Sequence, residues 1–196
     1  MKLFVIIALF MTLPFISINI DNSSVVFAQD EEELEDWERD DYSGDEVDEK
    51  TKYFKEKYVM NYDEPFEEVW NAIQQAIKNT NCMIASNRKR QTDEGFFRGV
   101  IKSDFCVFTT GKDSTYKVLD KYSYDMPVIP GGIWLNGRIQ HKFIITEQED
   151  GSVKVVHTSE MSGWEDLITH QVHFWQSSGL LEHFLHEDIN KILAKK

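Results

Sequence analysis

From Tyr53 onward the apolar positions change period several times, and each change predicts an element. YFKEKYVMNY, Tyr53 to Tyr62, alternates with Phe54, Tyr58, Met60 and Tyr62 on one side, which predicts a half-buried strand. DEPFEEVWNAIQQAIKNTN then places Phe66, Val69, Trp70, Ile73, Ala76 and Ile77 at helical spacing. Asp63 stands where a cap belongs, Pro65 suits a first turn, and Asn79-Thr80-Asn81 ends the run. Cys82 to Thr110 reads as two strands around a turn near Asp93-Glu94-Gly95. Thr115 to Tyr124 reads as another strand, and Met126 to Gly132, with its two prolines and paired glycines, as a loop. Ile133 to Gly151 runs as a long strand into an Asp150-Gly151 hairpin turn, and Ser152 to Gly163 returns from it. Two helical stripes follow. Trp164, Leu167, Ile168, Val172 and Trp175 form a short one; Ser177-Ser178-Gly179 breaks it; Leu181, Phe184, Leu185, Ile189, Ile192 and Leu193 form a longer one.

Consecutive hairpins make an antiparallel sheet, and amphipathic helices must bury their stripes against it. The fold class expected is therefore α+β: a curved antiparallel sheet of about five or six strands with two or three helices on one face.

The chain ahead of Tyr53 is of another kind. Lys2 precedes an apolar run, Leu3 to Ile20, and Val26 and Ala28 occupy the small-residue positions of a cut after Ala28. Residues 1–28 are expected to be a signal peptide, and the protein to be exported to a periplasm or secreted. The run is long enough to span a bilayer if it is not cleaved, so a membrane association depends on that segment alone. Residues 29–50 are expected to be a disordered acidic arm. Asp30 to Glu49 carries thirteen carboxylates against one cation, Arg39, a net charge of −12 out of −13 for the whole chain. Such a block cannot bury enough apolar surface to offset chain entropy. What remains, 51–196, is one domain in size and near neutral, with no basic surplus to hold nucleic acid. Export also bears on the two cysteines. A hairpin centred on Glu94 sets Cys82 opposite Cys106, and an oxidising compartment favours a disulfide between them.

YDEPFEEVWNAIQQAI resembles the opening of helix-grip proteins, where an extended segment and a Val-Trp helix precede a curved sheet. The stretch TNCMIASNRKRQTDEGFFRGVI, with the paired strands around Asp150-Gly151, is similar to the BamC-like domains. Those belong to a lipoprotein of the outer-membrane barrel-assembly machine, and the resemblance implies an envelope interaction domain. This chain departs from that pattern in lacking the cysteine that would carry a lipid. The polyketide-cyclase or START-like branch of the helix-grip fold is also similar, and it implies a cavity for apolar ligands.

Candidate chemistry is sparse. His170/His173 and His183/His186 form two H-x-x-H pairs; on helices each would offer two nitrogens to one ion. The spacing is common and unspecific, and all four lie off the centres of the apolar stripes, so polar helix edges are expected rather than a metal centre. No nucleophile elbow and no phosphate loop is present. No catalytic residue and no cofactor is expected. Trp134, beside the Met126–Gly132 loop, and Trp164, Phe174 and Trp175 are candidates for a binding surface. The function expected is an exported, non-enzymatic interaction domain whose partner is another envelope or secreted protein. One alternative is a carrier of a small apolar ligand between helix and sheet; another is a metal-binding protein or hydrolase.

Overall fold

The structure is a computed structural model and describes residues 51–195. The signal peptide and acidic arm expected from the sequence lie outside the described residues. In chain order the elements are β1 (Tyr58–Tyr62), α1 (Phe66–Asn79), β2 (Ile84–Gln91), β3 (Phe97–Ser103) and β4 (Cys106–Thr110). A 3-10 turn (Gly111–Asp113) leads to α2 (Tyr116–Lys121), β5 (Asn136–Glu147), β6 (Val153–Glu165), β7 (Gln171–Trp175) and α3 (Leu180–Ala194). The class is α+β, with seven strands in one antiparallel sheet.

β5 and β6 are the spine. They pair from Glu147↔Val153 to Arg138↔Ser162, a register set by the turn in which Gly151 takes φ +84° and Ser152 donates its N–H to Asp150 Oδ1. Each spine strand is longer than its outer neighbours, so it carries two of them end to end. β3 and then β4 run along β5, with a register shift between Val107 and Thr109; β1 and β7 share β6. Such shifts bend a strand and increase its local twist.

The pleat sorts the spine residues. Ile139, His141, Phe143 and Ile145 of β5 are buried, as are Val153, Val155, His157 and Met161 of β6. They form the face covered by α1 and α3. α1 buries Phe66, Val69, Trp70, Ile73, Ala76 and Ile77, the stripe read from the sequence. Burying an aliphatic such as Ile73 contributes about 1.5–3 kcal/mol. Gly99 admits α1 to the sheet, because a Cβ there would collide with the Trp70 ring. Asp63 does not cap the helix; Pro65 occupies the N-cap position, and its carbonyl accepts the N–H of Glu68 and Val69.

Three expectations change. Cys82 to Thr110 forms three strands, because Asp104-Phe105 interrupts the second one. Thr115 to Tyr124 contains α2 rather than a strand: Thr115 Oγ1 accepts the Val118 N–H at 3.3 Å and starts a helical turn. The short stripe from Trp164 to Trp175 is no helix. Trp164 lies in β6, which ends at Glu165; the Glu165 carboxylate gathers the amides of the following loop, His170 turns left-handed at φ 50°, and Gln171 onward pairs back as β7.

Candidate functional site

A groove of about 390 Å³ opens between α3, the C-terminal end of α1 and the sheet. Leu181, Phe184 and Leu185 of α3 form one wall, and Cys106 and Ile139 form another. Asn79, Thr80 and Asp188 contribute polar groups, and Asn79 Nδ2 donates to Asp188 Oδ2 at 2.7 Å across the two helices. The remaining lining residue is His141, which is 4% exposed. The lining is mostly apolar, contains one carboxylate and has no lysine or arginine.

His141 is one end of a chain of three imidazoles. Its Nδ1 lies 3.0 Å from His157 Nε2, and His157 Nδ1 lies 2.7 Å from His186 Nε2. Register brings the first two together. Phe143 of β5 pairs with His157 of β6, so His141 sits one diagonal step away on the same face. α3 then lowers His186 onto His157. The rings are packed as well as bonded: Phe143 stacks on His157 at 4.0 Å and Tyr58 meets His186 edge-on at 5.0 Å. Burial pushes His141 down to about 3, with His186 adding to the effect. Burial, His183 and Lys55 bring His186 to about 4, and burial with the two neighbouring rings holds His157 well below its ordinary value. The chain is therefore neutral at pH 7. It is not a metal centre either, because His157 spends its two nitrogens on opposite neighbours instead of turning one toward a shared point. Among the described residues no cluster of three or more His, Cys, Asp or Glu is placed to hold a metal ion.

One turn before His186, Glu182 is completely buried. Ser177 Oγ donates to it at 2.8 Å and Ser159 Oγ bonds its other oxygen. Burial raises its pKa despite these two hydroxyls. A polar cavity of about 320 Å³ borders Glu182, Ser159, Ser177 and Lys55.

A second polar cluster lies elsewhere. Glu165 has no exposed surface, yet burial is outweighed by the N–H groups of Thr169, Leu167, Ile168 and Ile133, which hold its carboxyl well below the usual range. Thr169 Oγ1 also bonds it at 2.8 Å and lies 2.7 Å from His173 Nε2.

The predicted site residues disperse. His170 is exposed, while His173 bonds Thr169 and meets the Trp134 ring edge-on. His183 stacks on Tyr53 at 4.2 Å and lies 3.4 Å from Glu187. Only His186 joins the imidazole chain, and its partners His141 and His157 were not singled out from the sequence. Trp134 and Trp175 do not belong to a surface: they are 4% and 6% exposed, packed edge to face, with Trp175 Nε1 donating to Ser123 Oγ at 2.7 Å. Trp164 is half-buried with its indole N–H on Asp166, and Phe174 is 56% exposed. Cys82 and Cys106 form the expected disulfide, with Cα atoms 5.1 Å apart, beside the groove.

No protein-family model matches the chain, and no curated protein matches it.

Proposed function

We propose that the protein is an exported, non-enzymatic binding domain whose helix–sheet groove takes a small apolar molecule. One observation carries this reading: an apolar groove of about 390 Å³ with a buried neutral imidazole among its lining residues. Small-molecule sites are concave, mostly apolar and furnished with a few placed polar groups, typically in clefts of about 300–1,000 Å³. The disulfide supports export into an oxidising compartment. The helix-grip resemblance supports the groove, because that fold encloses ligands between its helix and sheet.

Native mass spectrometry of the mature chain, secreted from its own host, tests the proposal beside a denatured run. The expected result is an added mass of lipid-like size that disappears on denaturation. A bare chain that also fails to take up apolar probes would overturn it.

A second reading has its own support. On the sheet face away from the helices, exposed Phe174 lies 6.5 Å from Phe105, whose ring lies 5.2 Å from the Arg138 guanidinium. An aromatic pair over an arginine suits contact with another envelope or secreted protein. Phe174→Ser would then abolish capture of that partner while leaving groove binding unchanged.

A further inference from the structure

The imidazole chain constrains what the groove can hold. Each neutral imidazole has one N–H and one bare nitrogen. Two hydrogen bonds join three rings here, so only two neutral arrangements satisfy both bonds. In the first, every ring carries its proton on Nδ1: His141 donates to His157, His157 donates to His186, and His141 Nε2 is an acceptor. In the second, every proton sits on Nε2, the bonds run the other way, and His141 Nε2–H is a donor. Among the described residues no protein partner of His141 Nε2 is found, and the ring lines the groove.

Passing from the first arrangement to the second takes up one proton at His141 Nε2 and releases one from His186 Nδ1, while one proton crosses each internal bond. Charge and atoms balance, and no ring stays charged. The choice between donor and acceptor in the groove is thus linked to the half-buried outer ring, His186.

We infer that the groove selects an apolar molecule with one neutral hydrogen-bonding group, a hydroxyl or a carbonyl, which meets His141 Nε2 and sets the tautomer of all three histidines. His141 is the binding residue; His157 and His186 are positioning residues that act through it. An anionic head group is disfavoured, because it finds no cation in the lining and faces Asp188. The inference rests on the groove being a ligand site.

The test uses the disulfide-bonded full chain at pH 7.5 with 2-decanone, 1-decanol, decanoate and decane. Affinities come from calorimetry, and the ring ¹⁵N shifts of the three histidines report their tautomers. 2-Decanone can only accept, so it is expected to drive all three rings to the Nε2–H form together. It and 1-decanol are expected to bind at least about tenfold more tightly than decane and decanoate, about 1.4 kcal/mol. In His157→Phe, the ketone should shift His141 and leave His186 unmoved. If decane binds as tightly as the ketone with no tautomer change, the groove is a ligand site and the inference about its head group is wrong. Tighter binding of decanoate overturns it equally. If none of the four binds, the groove reading itself fails. The unsubstituted chain alone decides among these outcomes should His157→Phe not fold.

Discussion

The molecule buries two polar clusters, and they are built on opposite principles. Around Glu165, four backbone N–H groups and a hydroxyl converge on one carboxylate. Nothing in that cluster has a choice: the acceptor is saturated, the charge is compensated by fixed donors, and the loop after β6 is locked. Around His157, three ambivalent rings share two hydrogen bonds, one end reaches a groove and the other is half-buried. A saturated cluster specifies structure; one with two equivalent bonding states and a bare end can respond to what it meets. The comparison assigns the proposed recognition to the histidines and stability to Glu165, although His157 and Glu165 are equally hidden from solvent.

The largest effect is expected at Glu165. In Glu165→Gln an amide NH₂ replaces an oxygen that faces backbone donors, leaving N–H groups buried without an acceptor. The melting temperature should fall by on the order of 10 °C, followed by circular dichroism. Loss of the Cys82–Cys106 bridge comes next, at about 3.5 kcal/mol on the chain-entropy account of its loop. The cysteine pair replaced by serine should show that loss in urea midpoints, and the groove wall containing Cys106 should loosen while the Glu165 loop keeps its amide protection.

Acid separates the two clusters by pH. The folded histidines resist protonation, so from about pH 6.5 down to about 4 for His186 and about 3 for His141 the unfolded chain binds more protons and stability falls as pH falls. Each ring contributes a slope of at most about 1.4 kcal/mol per pH unit. Glu182, raised by burial, works in the opposite sense and tempers the slope. Glu165 acts lower. Its folded carboxyl stays ionised, so its contribution is complete above its ordinary value of 4.5 and drains away below it. Urea midpoints measured from pH 8 to 3 should show both windows. Glu165→Gln should remove only the lower one, and a single transition confined below pH 4.5 would contradict the histidine account.

How far the sequence reveals each part follows from its range. α1 is legible because its stripe is local, and the β2–β3 hairpin because a symmetric turn about Glu94 fixes its register: Gln91 pairs with Phe97 and Lys89 with Gly99. The Cys82–Cys106 bridge forms although that centre does not reach it: the register slips between Ile84 and Ser86, and Cys106 lies on β4, paired with β5. β7 was misread because Trp164, Ile168, Val172 and Trp175 have helical spacing, while the decisive contact is a side-chain carboxylate on backbone amides. The histidine chain is not legible in the sequence because it joins three elements, its successive rings standing sixteen and twenty-nine positions apart. A signal for its strand half was nevertheless present. His141 stands between Ile139 and Phe143, and His157 follows Val153 and Val155, each on the apolar side of its strand, and the Asp150-Gly151 turn sets their register.

The smallest predicted effect is the sharpest test of the contrast. Removing one ring of the chain strands its neighbours, so His157→Phe alone should cost about 1–3 kcal/mol. Replacing all three together, with His141→Leu, His157→Phe and His186→Leu, removes donors and acceptors at once and leaves apolar side chains in an apolar layer beside Phe143. Such wholesale replacement of a buried polar group is often neutral or stabilising. The triple variant is therefore expected to stay within about 1 kcal/mol of the parent at pH 7.5, to lose the slope between pH 6.5 and 4, and to lose its preference for a ketone over an alkane. Histidines kept for structure, as Glu165 is, would make the triple variant unfold instead. A folded variant that has lost only its selectivity separates what the sheet needs from what the groove recognises.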